Sequence, residues 1–221
     1  MEDFKNIFMK KLYIFTVFFL FILGNSQTYS FDFLTNYTFE NTDKKYSNES
    51  VNYFNSDDFS YYLKIVKLPE RFTGTLYDTN TNKAHCFTIT ESKVKGEIIF
   101  TFQYDYSYDL KPNRATKNFR VEFTTLPETS PQEVTMKFYS SKKAKKSNSE
   151  STLILKPANK NLFPMYRLSR TALSDSMTDD SVSGNYIVER ELIKEGKATC
   201  EFVLKEYKNV ELDLVVPTPL K

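Results

Sequence analysis

Residues Glu97–Tyr108 read EIIFTFQYDYSY. Ile98, Phe100, Phe102, Tyr104, Tyr106 and Tyr108 recur at every second position, and Glu97, Thr101, Gln103, Asp105 and Ser107 alternate with them; Ile99 is the apolar exception. A period of two places successive side chains on opposite faces of a sheet, so the stretch predicts a strand with one covered and one wet face. A slip of one residue would exchange the faces. The row Phe100, Phe102, Tyr104 and Tyr106 is therefore expected to point into the interior, as core or as a ligand-facing wall, with Thr101, Gln103 and Asp105 toward water.

The same design recurs on both sides of this stretch. Tyr29, Phe31 and Phe33 share a face, as do Phe59, Tyr61, Leu63 and Ile65, then Phe72 and Leu76 around Gly74, then Phe87 and Ile89. Downstream come Phe119, Val121 and Phe123, then Val134, Met136 and Phe138, a β run at 152–156, and closing strands at 186–193, 198–207 and 210–216. Thr42–Ser50 is polar and reads as a loop, and Pro69, Pro112, Pro131 and Pro157 punctuate the strands. Asn161–Arg170, NLFPMYRLSR, mixes apolar and basic residues around Pro164, and no long amphipathic helix is predicted. Short strands at fairly regular intervals predict an all-β chain: a large antiparallel meander sheet, curved as an open or partly closed barrel, with a two-sheet sandwich as the alternative. The basic stretch 141–151, SKKAKKSNSES, lacks periodicity and reads as a flexible, solvated loop inside a single domain over 27–221.

The N-terminal part reads as an address. Lys10 and Lys11 precede an uncharged apolar run from Leu12 to Leu23, followed by Gly24-Asn25-Ser26. That order of charge, apolar run and small residues is a signal peptide over 1–26, with Met9 as an alternative start. The run is shorter than the ~20 residues of a membrane span, and with no later long apolar run the mature chain has no expected integral span. The leader ending in GNSQ, with a mature chain rich in Phe, Tyr, Lys and Asn, resembles small β-rich exported proteins of Bacteroidetes-type bacteria that have no assigned activity. The resemblance covers the leader and the general texture. It implies a periplasmic, surface or secreted location and carries over no functional residue.

Composition narrows the function classes. The 221 residues include 20 Phe and 15 Tyr but no Trp and only 5 Gly, and 30 basic against 28 acidic residues leave a formal charge of +2. So even a balance gives no field for nucleic acid, and few glycines argue against a glycine-rich nucleotide loop. No cofactor is implied. The single histidine, His85, adjoins Cys86 in a strand, where neighbours point to opposite faces, so the two are not a catalytic pair. Two cysteines and one histidine are too few for a zinc site of preferred ligands. Cys86 and Cys200 fit either a disulfide, which export permits, or two separate buried thiols. Asp57-Asp58 and Asp175 with Asp179-Asp180 lack the spacing of a carboxylate pair for glycoside hydrolysis or of a calcium loop, and read as loop residues. The leading expectation is an exported, non-enzymatic envelope protein that binds a lipid or other apolar ligand. A structural or protein-interaction component of the envelope comes next, and an unrecognised hydrolase third.

Overall fold

The alternation is realised as strands along most of the chain. The computed structural model describes residues 26–41, 46–67, 71–94, 97–111, 119–125, 132–170, 182–195 and 198–217. In chain order the strands are β1 (Ser26–Asn41), β2 (Tyr46–Phe54), β3 (Tyr61–Lys67), β4 (Phe72–Asp78), β5 (Lys83–Val94), β6 (Glu97–Asp109), β7 (Arg120–Thr125), β8 (Gln132–Tyr139) and β9 (Ser149–Pro157). A short helix, α1 (Phe163–Ser169), precedes β10 (Tyr186–Glu195) and β11 (Ala198–Pro217). They form one 11-stranded sheet in the order β6-β5-β4-β3-β2-β1-β11-β10-β9-β8-β7. The order is an antiparallel meander that does not close, and β6 and β7 are its edges. The described chain divides into two compact units, one within 31–211 and a smaller one that joins 26–30 to 212–217. In the smaller unit Tyr29, Leu214 and Val216 are the buried apolar residues among those described.

Within Phe31–Glu211 both faces of the sheet bury apolar side chains. Directly paired residues share a face, which lets each face be traced across the strands. Tyr53 opposes Leu63, Leu63 opposes Leu76, Gly74 opposes Phe87, and Ile89 opposes Phe102. The rings of Tyr53 on β2 and Phe102 on β6 lie 6.3 Å apart, although four strand spacings of a flat sheet would separate them by about 19 Å. Strands β2–β6 thus curl about this face, and Tyr53, Leu63, Leu76, Phe87 and Ile89 fill the curl. The packing is close at Gly74: a Cβ there would sit 3.0 Å from Ile89 Cδ1 and 3.2 Å from Leu63 Cδ1.

The opposite face carries α1. There Phe33 opposes Phe54, Phe54 opposes Tyr62, and Tyr62 opposes Tyr77, with Phe54, Tyr62 and Tyr77 stacked at 6.1 and 5.0 Å. Leu162, Met165 and Leu168 pack onto Phe33, Phe54 and Tyr62. On the other side of the helix, Phe163 and Tyr166 pack among Tyr37, Val134, Met136, Leu153, Leu155, Val188 and Phe202, and Phe123 on β7 reaches Phe163 at 5.5 Å. Strands β7–β11 and β1 therefore wrap the helix, about the face opposite to the one the β2–β6 curl encloses. Full burial of each large apolar side chain contributes about 1.5–3 kcal/mol.

The structure departs from the sequence expectations at several places. β2 begins at Tyr46, so part of the segment read as a loop pairs with β1 through Asn41↔Tyr46 to Thr38↔Glu49. Asn161–Arg170 contains the helix that the pattern did not signal. The basic stretch is a turn only to Asn148, and β9 starts at Ser149. In β6 the register shifts: Phe87 opposes Tyr104 but Cys86 opposes Tyr106, leaving Asp105 as an extra, bulged residue. Beyond the bulge the faces exchange, so Ser107 joins His85 on the curled face and Tyr106 joins Cys86 on the other. Tyr106 is 59% exposed, and the expectation of one unbroken inward row stops at Tyr104. A disulfide between Cys86 and Cys200 is not formed; both are thiols, on β5 and β11, with β4, β3, β2 and β1 between them in the sheet.

Candidate functional site

The site grows from the way α1 ends. Its start is set locally: the Phe163 amide donates to Asn161 Oδ1 at 3.0 Å, and Pro164 occupies the first turn, where a missing N–H costs nothing. The helix is short and ends at Ser169, where the Arg170 amide donates to the carbonyls of Tyr166 and Arg167 at 3.1 and 3.2 Å. That end meets β1, β2, β3 and β11 around a cavity of about 210 Å³. Phe39 and Phe202 form its apolar walls, Lys64 and Arg170 its cations, and Asn48, Ser50 and Ser169 the rest of its lining.

Each polar group is held by specific partners. Ser169 Oγ donates to Met165 O at 2.8 Å and accepts from Asn52 Nδ2 at 3.2 Å. The same amide nitrogen reaches Ser50 Oγ at 3.1 Å and Ser50 O at 3.2 Å, so Asn52 ties β2 to the helix end. Arg170 forks onto Glu191, with Nε 3.1 Å from Oε2 and Nη2 donating to Oε1 at 3.3 Å. Its guanidinium also lies 5.5 Å from the centroid of the Phe202 ring. Glu191 is 0% exposed, and a carboxylate so placed needs the arginine. Burial first, and the Glu191 charge second, push the phenols of Tyr37 and Tyr166 well above the ordinary range. Tyr37 stays protonated and donates to Val188 O at 2.8 Å. Lys64, opposite Asn52 on β3, has its pKa lowered by burial.

The residues singled out from sequence lie elsewhere. Phe100 packs against Phe72 at 5.8 Å, Phe102 against Tyr53 and Tyr104 against Phe87 at 5.9 Å, all on the curled face. Tyr106 contacts Tyr108 at 6.4 Å on the other face. His85 Nδ1 lies 2.6 Å from Ser107 Oγ, which lies 2.8 Å from Tyr104 OH. Burial lowers the His85 pKa, with Asp78 acting in the other direction. Cys200 Sγ accepts from Asn41 Nδ2 at 3.2 Å. Asp57 pairs with Lys160 at 2.9 Å, and Asp58 Oδ1 accepts from the Ser60 amide at 2.9 Å, both as loop ties. The leader up to Asn25 and Asp175, Asp179 and Asp180 lie outside the described residues.

Lys64, Arg170 and Glu191 were missed by sequence reasoning. Lys64 was visible as a polar break in the apolar strand Tyr61–Lys67. Glu191 was hidden by a second bulge: Val188 opposes Leu155 and Arg190 opposes Ile154, so Glu189 is the extra residue and Glu191 turns to the helix side beside Leu153 and Phe202.

No family model matches the chain, and no curated protein matches it. Among solved structures it is similar to a β-barrel-like protein of the domain of unknown function DUF1849 from Brucella abortus, at 9% identity and a TM-score of 0.30, over 81% of this chain and 98% of that one.

Proposed function

We propose that the chain is an exported, non-enzymatic binding protein of the cell envelope, periplasmic or secreted, and that its ligand sits in the cavity at the end of α1. The cavity carries this reading. It combines two aromatic walls with directional polar groups, which is the make-up of a small-molecule site. Ser169 acts there as a fixed dipole, since its hydrogen is committed to Met165 O. Export rests on the leader sequence, Lys10 to Ser26.

The ligand of this reading is small. A lipid or other large apolar ligand would have to displace side chains that fill both curls, and about 210 Å³ is below the ~300–1,000 Å³ of drug-sized sites. The test is to express the full chain with its leader in a Gram-negative host, recover it natively from the periplasm and medium, and extract it for mass spectrometry. A co-purifying small molecule in the exported fraction is expected. Retention in the cytoplasm would defeat the export reading, and exported protein devoid of any small species would count against the binding reading.

A second reading, a protein-interaction component of the envelope, is favoured by one observation. Strand β6 is an edge of the sheet among the described residues, and Ile99, Tyr106 and Tyr108 are exposed on it. Cross-linking in the native envelope through a photoreactive group at position 106 would capture a neighbour on this reading, and a clean monomer would dismiss it.

A further inference from the structure

We propose that the turn between β8 and β9, residues 140–148, is an electrostatic docking surface for an anionic lipid bilayer, and that Lys142, Lys143, Lys145 and Lys146 make the contact. The inference takes its kind of partner from the envelope reading above and is independent of the cavity at α1.

The turn has a built frame. The Ala144 amide donates to Ser141 O at 3.2 Å and the Asn148 amide to Phe138 O at 2.7 Å. The Ser140 amide donates to Asn148 Oδ1 at 2.8 Å. Arg120 on β7 braces the turn from the side, its Nη2 donating to Ala144 O at 2.9 Å. The same guanidinium lies 4.0 Å from the centroid of the Tyr139 ring, and its Nη1 lies 3.4 Å from Glu122 Oε1. The brace holds Ala144 half-buried, while the lysines before and after it are exposed. Four ammonium groups are thus presented together on a fixed hairpin tip.

The charge around the tip has one sign. The nearby acids are answered by other cations: Glu122 by Arg120, and Glu150 by Lys137 at 3.7 Å. In an antiparallel meander alternate connections lie at one end of the sheet. β1 runs against β11, with Asn41 on Cys200 and Phe33 on Tyr207, so the same end can be followed through both halves. That end also carries Lys67, Arg71, Lys93 and Lys194, all exposed, with Glu49 and Glu91 among them. The opposite end is mixed, with Asp57, Asp58 and Asp109 beside Lys83, Lys111 and Lys160. The formal charge of +2 therefore conceals one positive end. Cations projecting from strand ends suit a plane of negative headgroups. The sequence of the tip, SSKKAKKSN, holds no large apolar side chain to insert, so the contact is with headgroups alone. Each lysine near an anionic leaflet contributes about a five-fold change in affinity, and salt screens it.

The test is co-sedimentation of the exported protein with vesicles of phosphatidylcholine alone and of phosphatidylcholine with an equal part of phosphatidylglycerol, at low and high salt. Binding to the anionic vesicles at low salt, its loss at high salt, and none to the neutral vesicles are expected. The combined variant Lys142→Gln, Lys143→Gln, Lys145→Gln and Lys146→Gln should weaken binding by about 100-fold or more. The charge-preserving set Lys142→Arg, Lys143→Arg, Lys145→Arg and Lys146→Arg should keep it. Lys83→Gln with Lys111→Gln, at the opposite end, should keep it too. The proposal is overturned if the anionic vesicles are not bound, if both vesicle types bind equally, or if the glutamine set binds as the wild type does. Loss of binding in the arginine set or in the Lys83 and Lys111 variant also overturns it. Tighter binding to a DNA duplex than to the anionic vesicles at the same salt would replace the bilayer with a soluble polyanion and overturn it likewise. Any of these failures in a protein that is still exported leaves the envelope reading in place, whereas retention in the cytoplasm removes that reading and leaves the vesicle result as it stands.

Discussion

The two curls of the sheet solve one problem by different means. Strands β2–β6 close over their own side chains, so that Tyr53 and Phe102, four strands apart in the sheet, meet at 6.3 Å. Strands β7–β11 and β1 instead wrap α1, and Met165 and Tyr166 occupy the space that sheet side chains fill in the other curl. The first solution leaves an aromatic interior tied by edge-to-face ring contacts. The second brings a helix terminus, with its carbonyls and its arginine, into an apolar setting. That is why the buried charges and the lined cavity occur beside the helix: an inserted terminus has polar groups to satisfy.

The sharpest way to break this contrast is at the ion pair. Arg170→Met leaves the Glu191 carboxylate buried without its partner, and a loss of about 3–5 kcal/mol is expected in denaturant melts. The double variant Arg170→Met with Glu191→Leu should recover most of that loss, because both buried charges are then gone. If the double variant is as unstable as the single one, the loss does not come from a Glu191 carboxylate left buried without its partner.

The other curl should respond more weakly at its rim. Phe102 is half-buried on an edge strand, so Phe102→Ala is expected to cost roughly 2 kcal/mol, less than the ~3–5 kcal/mol of a fully buried phenylalanine. Thr101→Ala, on the exposed side, should stay within about 0.5 kcal/mol. A larger loss at Thr101 than at Phe102 would mean that the strand faces are exchanged.

The smallest effect is a pH dependence. His85 has its folded pKa lowered below the usual 6.5, so the unfolded chain binds the proton more readily. Stability from this group is complete above pH 6.5 and declines as pH falls from there toward the folded pKa. Melts across that window should show the decline in the wild type and a shallower one in His85→Asn; an unchanged slope in the variant would assign the decline to other groups.

Much of the fold was legible, because alternation reports strands and short polar breaks report their turns. Glu97–Tyr108 was read as a strand and is one. What escaped is what interrupts alternation. A bulge adds one residue and flips every later side chain, so Tyr106 could not be placed without knowing about Asp105, nor Glu191 without Glu189. The helix escaped because it is only Phe163–Ser169, too short for a periodic signal, with Pro164 resembling a break. The spacing of Leu162, Met165, Tyr166 and Ser169, together with Asn161 before Pro164, was the available cue. The cavity depends on Lys64 and Arg170, distant in sequence, meeting at that helix end, and no local pattern encodes such a meeting.

Tyr62 and Tyr106 share one face of the sheet, yet Leu162, Met165 and Leu168 cover the first and leave the second exposed. The central claim, that α1 is a packed part of the interior, is tested most directly by comparing denaturant melts of Met165→Ala and Tyr106→Ala. Met165 is fully buried, and its truncation should cost about 2–5 kcal/mol, while Tyr106→Ala should stay within about 0.5 kcal/mol. Equal small losses for the two would contradict a helix held in the sheet's curl.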